Sequence, residues 1–243
     1  MSGQPDGEGV EADPHDNPVW WSLRSRHRAL AEGRGRARRY RTDISVFAAV
    51  DWFDEASWSD LADLVGPGRR VVVFGRDVPS AHPQGWIEDG RIPCRQMAVT
   101  GERLAGVAPV SLRRLTPNDV PLMLDLVALT EPGPFRAGTI AMGSYYGHFE
   151  GSRLLAMAGE RLGFNGSTEI SAVCTHPDAR RRGLGAALTH YVASEILRRG
   201  EEPFLHVAES NDAARRVYER LGFSATRFVD AVLMTAPTAP TAS

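Results

Sequence analysis

Two spacings of apolar residues alternate along this chain. Leu184, Ala187, Leu188, Tyr191, Val192 and Ile196 recur at intervals of three and four, which predicts one buried face of a helix over 184–199. Shorter helices are expected at Ser57–Val65, carrying Leu61, Leu64 and Val65 and stopped by Gly66-Pro67-Gly68, and at 117–130 and 212–221. Thr116 stands as N-cap to the helix at 117–130, with Pro117 in its first position. β-rich runs predict strands at Ile44–Val50, Val71–Phe74, Arg95–Val99, 110–115, 144–150, 153–162, 168–175, 203–208 and 223–234. Tight turns such as Glu150-Gly151-Ser152 join some neighbours and helices join others, so the fold class is α/β (α+β), a mixed sheet flanked by helices. No repeat of 20–50 residues is found.

The 243 residues allow one large unit or two smaller ones. Residues 1–17 and 236–243 are aperiodic and rich in small residues and Pro, and are expected as disordered tails. A boundary at Gly106–Pro109 divides the rest into a smaller α/β domain at 18–109 and a second domain at 110–235.

Apolar residues at 42% and charged residues at 24% are ordinary globular values, and a net charge of −2 gives no overall pull toward nucleic acid or anionic lipid. All 28 basic residues other than His are Arg. Without lysine, a Walker A loop and an internal pyridoxal Schiff base are excluded. Cys94 and Cys174 are too few for a disulfide framework, and no HExxH or clear chelating His pair predicts a metal. Five acids in the first seventeen residues are unlike a secretion signal, and no apolar run nears 18 residues, so the expectation is a cytoplasmic protein with no membrane partner. From Arg24 to Arg41 eight arginines face one acid, Glu32, either as a nucleic-acid arm or as a solvated face with intramolecular ion pairs; the near-neutral chain favours the latter.

The most informative stretch runs from Thr168 to Leu188. A β-rich run ends at Pro177, then come Arg180, Arg181 and Arg182, and Gly183 and Gly185 open a helix. Free N–H groups at a helix start, glycines that admit a ligand, and three arginines together define an anion site for a phosphate or pyrophosphate; the alternative is a solvated arginine turn. Leu188 occupies the third glycine position of a dinucleotide fingerprint, which fails there.

Arg180-x-x-Gly183-x-Gly185 resembles the pyrophosphate motif of the GNAT superfamily of acetyl-coenzyme A-dependent N-acetyltransferases. The resemblance covers about 110–235, since Phe204 to Phe223, with Asn211, Ala214, Tyr218 and Leu221-Gly222-Phe223, is similar to the family's later strand, Asn-capped helix and turn. Residues around Trp20-Trp21 and Gln96-Met97 resemble a two-part, glycine N-acyltransferase-like subgroup in which a degenerate half precedes the active one. The resemblance implies a centrally splayed sheet, acetyl-CoA as co-substrate, and no metal. It places the pantetheine arm on the main chain of Val173, Cys174 and Thr175. The cofactor-binding set is completed by Arg180, Arg181, Arg182, Gly183, Leu184, Gly185, Ala186, Asn211 and Ala214.

In the acyl transfer so implied, Tyr218 is the candidate acid for the leaving thiolate, sharing a helix face with Asn211 and Ala214, or else a core aromatic. Glu169 matches the family's catalytic glutamate; burial is expected to raise its pKa so that it acts as base, unless it is a solvent-facing edge residue or water does the work. His148, Glu150, His206 and Glu209 are further base candidates. Cys174 reads as a small core residue rather than a nucleophile. The expected acceptor is a small primary amine or amino acid, with a protein amine as the subsidiary option. A non-catalytic acyl-CoA-binding module is the alternative of another class. The N-terminal unit and the loop Thr130–Met142 are expected to shape the acceptor cleft.

Overall fold

The computed structural model describes residues 13–99 and 104–238. In chain order the strands are β1 (Ala31–Arg34), β2 (Ala37–Tyr40), β3 (Phe47–Val50), β4 (Arg70–Gly75), β5 (Ile87–Val99), β6 (Arg113–Arg114), β7 (Tyr145–Glu150), β8 (Arg153–Phe164), β9 (Ser167–Thr175), β10 (Glu202–Ala208) and β11 (Phe223–Thr235). The helices are α1 (Pro18–Arg24), α2 (Glu55–Val65), α3 (Val120–Thr130), α4 (Leu184–Arg198) and α5 (Asp212–Leu221). Their ends follow local chemistry. Asp54 accepts from the Ser57 N–H at 2.8 Å to start α2, and Asn211 accepts from Ala214 at 3.1 Å to start α5. Gly222, at φ 100°, ends α5 in the left-handed region. The expected strand 110–115 shrinks to β6, which pairs with β7 over two residues only.

All strands belong to one sheet in the order β1-β2-β3-β4-β11-β5-β10-β9-β8-β7-β6. Strand β5, from the segment 18–109, runs antiparallel between β10 and β11 of the segment 110–235, so the two segments share a sheet. Helix α4 covers one face over Leu155, Ile170, Leu205 and Met97. On the opposite face α1 packs Val19, Trp20 and Leu23 against Phe47, Phe74, Leu162 and Phe204. The sheet curls strongly enough for the Arg161 guanidinium of β8 to lie 4.9 Å from the ring centroid of Phe47 in β3, across five intervening strands. Helix α2 covers β3, β4 and β11 with Trp58, Leu61 and Val65.

Most of the arginine-dense stretch forms a hairpin, β1 against β2. Gly35 takes φ 47° at its turn, and a Cβ there would meet the Asp60 carboxylate at 2.1 Å. Arg34 pairs with Asp63, Arg36 with Asp54, Arg39 with Glu32 and Arg26 with Glu201, while Arg24 and Arg38 lie over Trp20. The stretch is therefore largely neutralised within the chain. The expected tails differ from the structure at their inner ends. Asp13 and Asp16 hold Arg227 at 2.8 and 2.7 Å, and buried Ala236 donates its N–H to the Arg69 carbonyl at 2.9 Å. Residues 1–12 and 239–243 lie outside the described residues, as do 100–103.

Candidate active site

Parallel pairing of β9 with β10 runs from Ser167/Glu202 to Ile170/Leu205 and stops there. Beyond it β9 is paired to β8 alone, through Cys174/Met157 and Thr175/Ala156. Ala172 stands at φ 53° where the β8–β9 register slips, a bulge that bends β9 away from β10. The main chain of Ser171 to Thr175 thus turns an unpaired edge into a cleft of about 780 Å³ between the two strands. Val173, Cys174, Thr175, Arg180, Asn211, Ala214 and Tyr218, all expected at the cofactor or the reacting centre, line it together.

Arg180 leads from the cleft wall into the turn before α4. There Arg181 and Gly183 take positive φ of 63° and 76°, and Ala187 is the first residue whose N–H finds a helical acceptor, Gly183 O at 3.0 Å. The N–H groups of Leu184, Gly185 and Ala186 are left for a ligand. A Cβ on Gly183 would meet nothing within 4 Å, so this glycine serves the backbone angle and leaves space above it. A Cβ on Gly185 would come 3.8 Å from the Val173 and Thr175 side chains, which seats the helix start beside the free edge of β9. This donor set, with the nearby arginines, fits a diphosphate. Arg182 is also paired with Glu150.

Tyr218 is buried at 8% exposure and lines the cleft, and its hydroxyl bonds to no described residue. Burial pushes its phenol up to about 12. The donor is therefore loaded at neutral pH, but the gap to a thiol of about 8.5 is wider than the ordinary phenol value implies, because nothing nearby favours the phenolate. Burial likewise lifts Cys94 and Cys174 to about 11, leaving both as protonated thiols.

Glu169 departs from expectation. It is 0% exposed, and its carboxylate accepts from Arg161 Nε at 2.7 Å and Nη2 at 2.5 Å, from His206 Nδ1 at 2.6 Å and from the Leu162 N–H at 3.3 Å. Burial alone would raise its pKa, but Arg161 and then His206 outweigh it and hold the group down at about 2. The expected rise toward neutrality is overturned. Glu169 does not reach the cleft surface; Arg161 and His206 do, and they stand between it and the cavity. His206, lowered by burial and so neutral, donates to Glu169 and accepts from Gln96 Nε2 at 3.0 Å. Of the other base candidates, Glu150 is paired with Arg182, Glu209 with Arg95, and His148 donates to the Ser111 carbonyl at 2.9 Å.

Sequence reasoning passed over Arg161 and Glu131. Glu131, at φ 46° after α3, is the one carboxylate among the described residues lining the cleft. Its side chain makes no ion pair with a described residue. The loop Thr130–Pro134 does line the cleft, as do Phe47, Val72, Ile92 and Cys94 from the N-terminal segment. Within the described residues no group of His, Cys, Asp or Glu is disposed to hold a metal, and no helix is long and apolar enough to cross a membrane.

Comparison with known proteins bears on the fold and the family. A solved structure from Novosphingobium aromaticivorans, assigned to the GNAT family of acetyltransferases, is 37% identical, covers 93% of this chain and 100% of its own, and superposes with a TM-score of 0.85. The FR47-like protein family model matches residues 145–230. The curved, splayed sheet and this kinship define an acetyltransferase-type protein. The chain belongs to the GNAT family. A GCN5-related N-acetyltransferase from Kribbella flavida (19% identity, 93% of this chain and 97% of that one, TM-score 0.62) shares the fold. So does a GCN5-related N-acetyltransferase-like protein from Streptococcus suis (14% identity, 94% of each chain, TM-score 0.56). A search of curated proteins returned no match.

Proposed function

We propose that this protein transfers an acetyl or short acyl group from coenzyme A to a primary amine on a small molecule, by direct attack in a ternary complex, and that it belongs to the two-part, glycine N-acyltransferase-like subgroup. One observation carries the reading: the free edge of β9 and the unengaged Tyr218 hydroxyl share one cleft, and the open start of α4 adjoins it, with Arg180 on the cleft wall and Gly185 beside Val173 and Thr175.

Coenzyme A brings the activated thioester. The chain's residues supply position and charge. Unpaired main-chain groups of Val173, Cys174 and Thr175 hold the pantetheine arm as an added strand would be held. Leu184, Gly185 and Ala186 N–H groups, with Arg180 and Arg181, take the diphosphate, and Asn211 and Ala214 border the arm at the start of α5. Amides along the bulged edge of β9 polarise the carbonyl to be attacked. Tyr218 gives a hydrogen bond to the departing sulfur. Water takes the amine proton, since Glu169 is locked in its ion pair; Glu131 is the acid available at the cleft. Raised thiol pKa values at Cys94 and Cys174 favour direct transfer over an acyl-cysteine route.

Calorimetry with acetyl-CoA followed by thiol release over an amine panel tests this reading. Tight binding without release from any amine would leave a binding module in its place. Tyr218→Phe is expected to lower kcat by about 10²-fold and to leave the dissociation constant for coenzyme A within about twofold. An unchanged kcat would remove the acid role. Arg180→Ala with Arg181→Ala is expected to weaken coenzyme A binding by about tenfold or more, read by calorimetry, with salt reducing the difference.

A further inference from the structure

We propose that the acceptor is an amphiphilic amine carrying a carboxylate next to its amino group, with Arg161 reading the carboxylate and an apolar wall receiving the rest. This rests on the acyl-transfer reading above and names the chemistry of its second substrate.

Arg161 is a cation at the cleft floor. Its side chain is 12% exposed, its Nε and Nη2 are committed to Glu169, and its Nη1 bonds to no described residue while the residue lines the cavity. An ion pair this deep is costly to desolvate, and an apolar pair of the same volume serves stability as well or better. What the pair provides is a fixed guanidinium. Glu169 is saturated by Arg161, His206 and Leu162, and His206 is in turn held by Gln96, so the carboxylate cannot swing and Arg161 cannot follow it. The Phe47 ring at 4.9 Å closes another side. A planar N–H edge held this way in a low-dielectric floor suits the oxygens of a carboxylate.

The other cleft arginines have different engagements. Arg91 is taken by Glu88, Asp230 and the carbonyls of Val78 and Pro79, and Arg180 stands at the start of the diphosphate turn. Beyond Arg161 the cavity wall is apolar: Phe47, Val72, Ile92 and Leu233, from four strands. Ile92 is 55% exposed inside a strand, which leaves a large aliphatic surface for a ligand to cover. A carboxylate at Arg161, an apolar group on that wall and an amine directed toward the β9 edge describe a hydrophobic α-amino acid.

The test pairs each acceptor with its decarboxylated counterpart. Thiol release from acetyl-CoA is measured with L-leucine against 3-methylbutylamine, L-phenylalanine against 2-phenylethylamine, and glycine. The amino acid of each pair is expected to exceed its amine in kcat/KM by about tenfold or more, the scale of a charge-assisted hydrogen bond, with leucine above glycine. N-acetyl-L-leucine should raise the melting temperature more than N-acetyl-3-methylbutylamine does. The double variant Arg161→Met with Glu169→Gln removes both charges, so no unpaired ion stays buried, and should abolish the discrimination within each pair. Equal use of both members by the native protein, or discrimination that survives in the double variant, overturns the inference and leaves acyl transfer standing. Glycine matching leucine overturns the apolar half. No release from any amine overturns acyl transfer itself, and the inference with it.

Discussion

Expressed alone, residues 104–243 will not fold, although they hold the turn at 180–185, Tyr218 and most of the cleft. The reason lies in the sheet order. β10 and β11 do not pair with each other; β5 lies between them, matched to β10 over five residue pairs from Ala98/Phe204 to Cys94/Ala208 and to β11 over twelve. Removing it leaves two facing strand edges unbonded in the middle of the sheet, and each buried backbone group so stranded costs about 1–3 kcal/mol. Met97 and Ala98, buried on opposite faces in separate core clusters, go with it. Typical domain stability of about 5–15 kcal/mol cannot absorb that loss. The fragment should show no cooperative urea transition and no dispersed amide spectrum, and adding a separately made 13–103 fragment should restore both in part. A cooperative transition in the fragment alone would establish 104–243 as an independent domain.

Strand β5 also marks where the sequence stops being informative. Elements from 144 to 234 were legible to within a residue or two, because alternation, Asn and Asp caps and glycine stops act within a few residues of themselves. The placement of β5 depends on pairing with strands more than a hundred residues away, which no local pattern encodes. The turn from Arg180 to Gly185 that opens α4 was legible for the same local reason as the helices. Glu169 was misread because its environment is made by a bulge. Asn165-Gly166, with φ 42° and 78°, sets a tight β8–β9 turn, but the register then slips so that both Arg161 and Leu162 stand opposite Glu169. That extra residue brings the guanidinium and a main-chain N–H onto the carboxylate together. Ala172, at the second irregularity, carries no side-chain signal of its left-handed backbone. The hairpin turning at Arg34–Ala37 was hidden differently: its turn is held by Asp60, which accepts from the Arg36 N–H and lies beneath Gly35, a partner that the local sequence does not show.

Glu169→Gln is expected to be the most destabilising isosteric change around the cleft, although Glu169 lies beneath its surface. The amide keeps an acceptor for His206 or for Leu162 but not for both, since they donate to different carboxylate oxygens, and it leaves the Arg161 charge buried without its counterion, a loss of about 3–5 kcal/mol in urea unfolding at pH 7. Adding Arg161→Met should return most of that stability, because the charge to be desolvated is then gone. The pH dependence has a definite sign. The folded carboxyl titrates at about 2 against an ordinary 4.5, so the stability it contributes is complete above 4.5 and disappears as pH falls toward 2. Native protein and Glu169→Gln should therefore differ most above pH 5 and converge on acidification, whereas the other acid-sensitive pairs, common to both, cancel in the difference. A difference that stays flat from pH 6 to 3 would mean that Glu169 is not bound as a carboxylate in the folded state. Arg161 would then lack the anchor that fixes it at the cleft floor, and recognition of a carboxylate there would lose its structural basis.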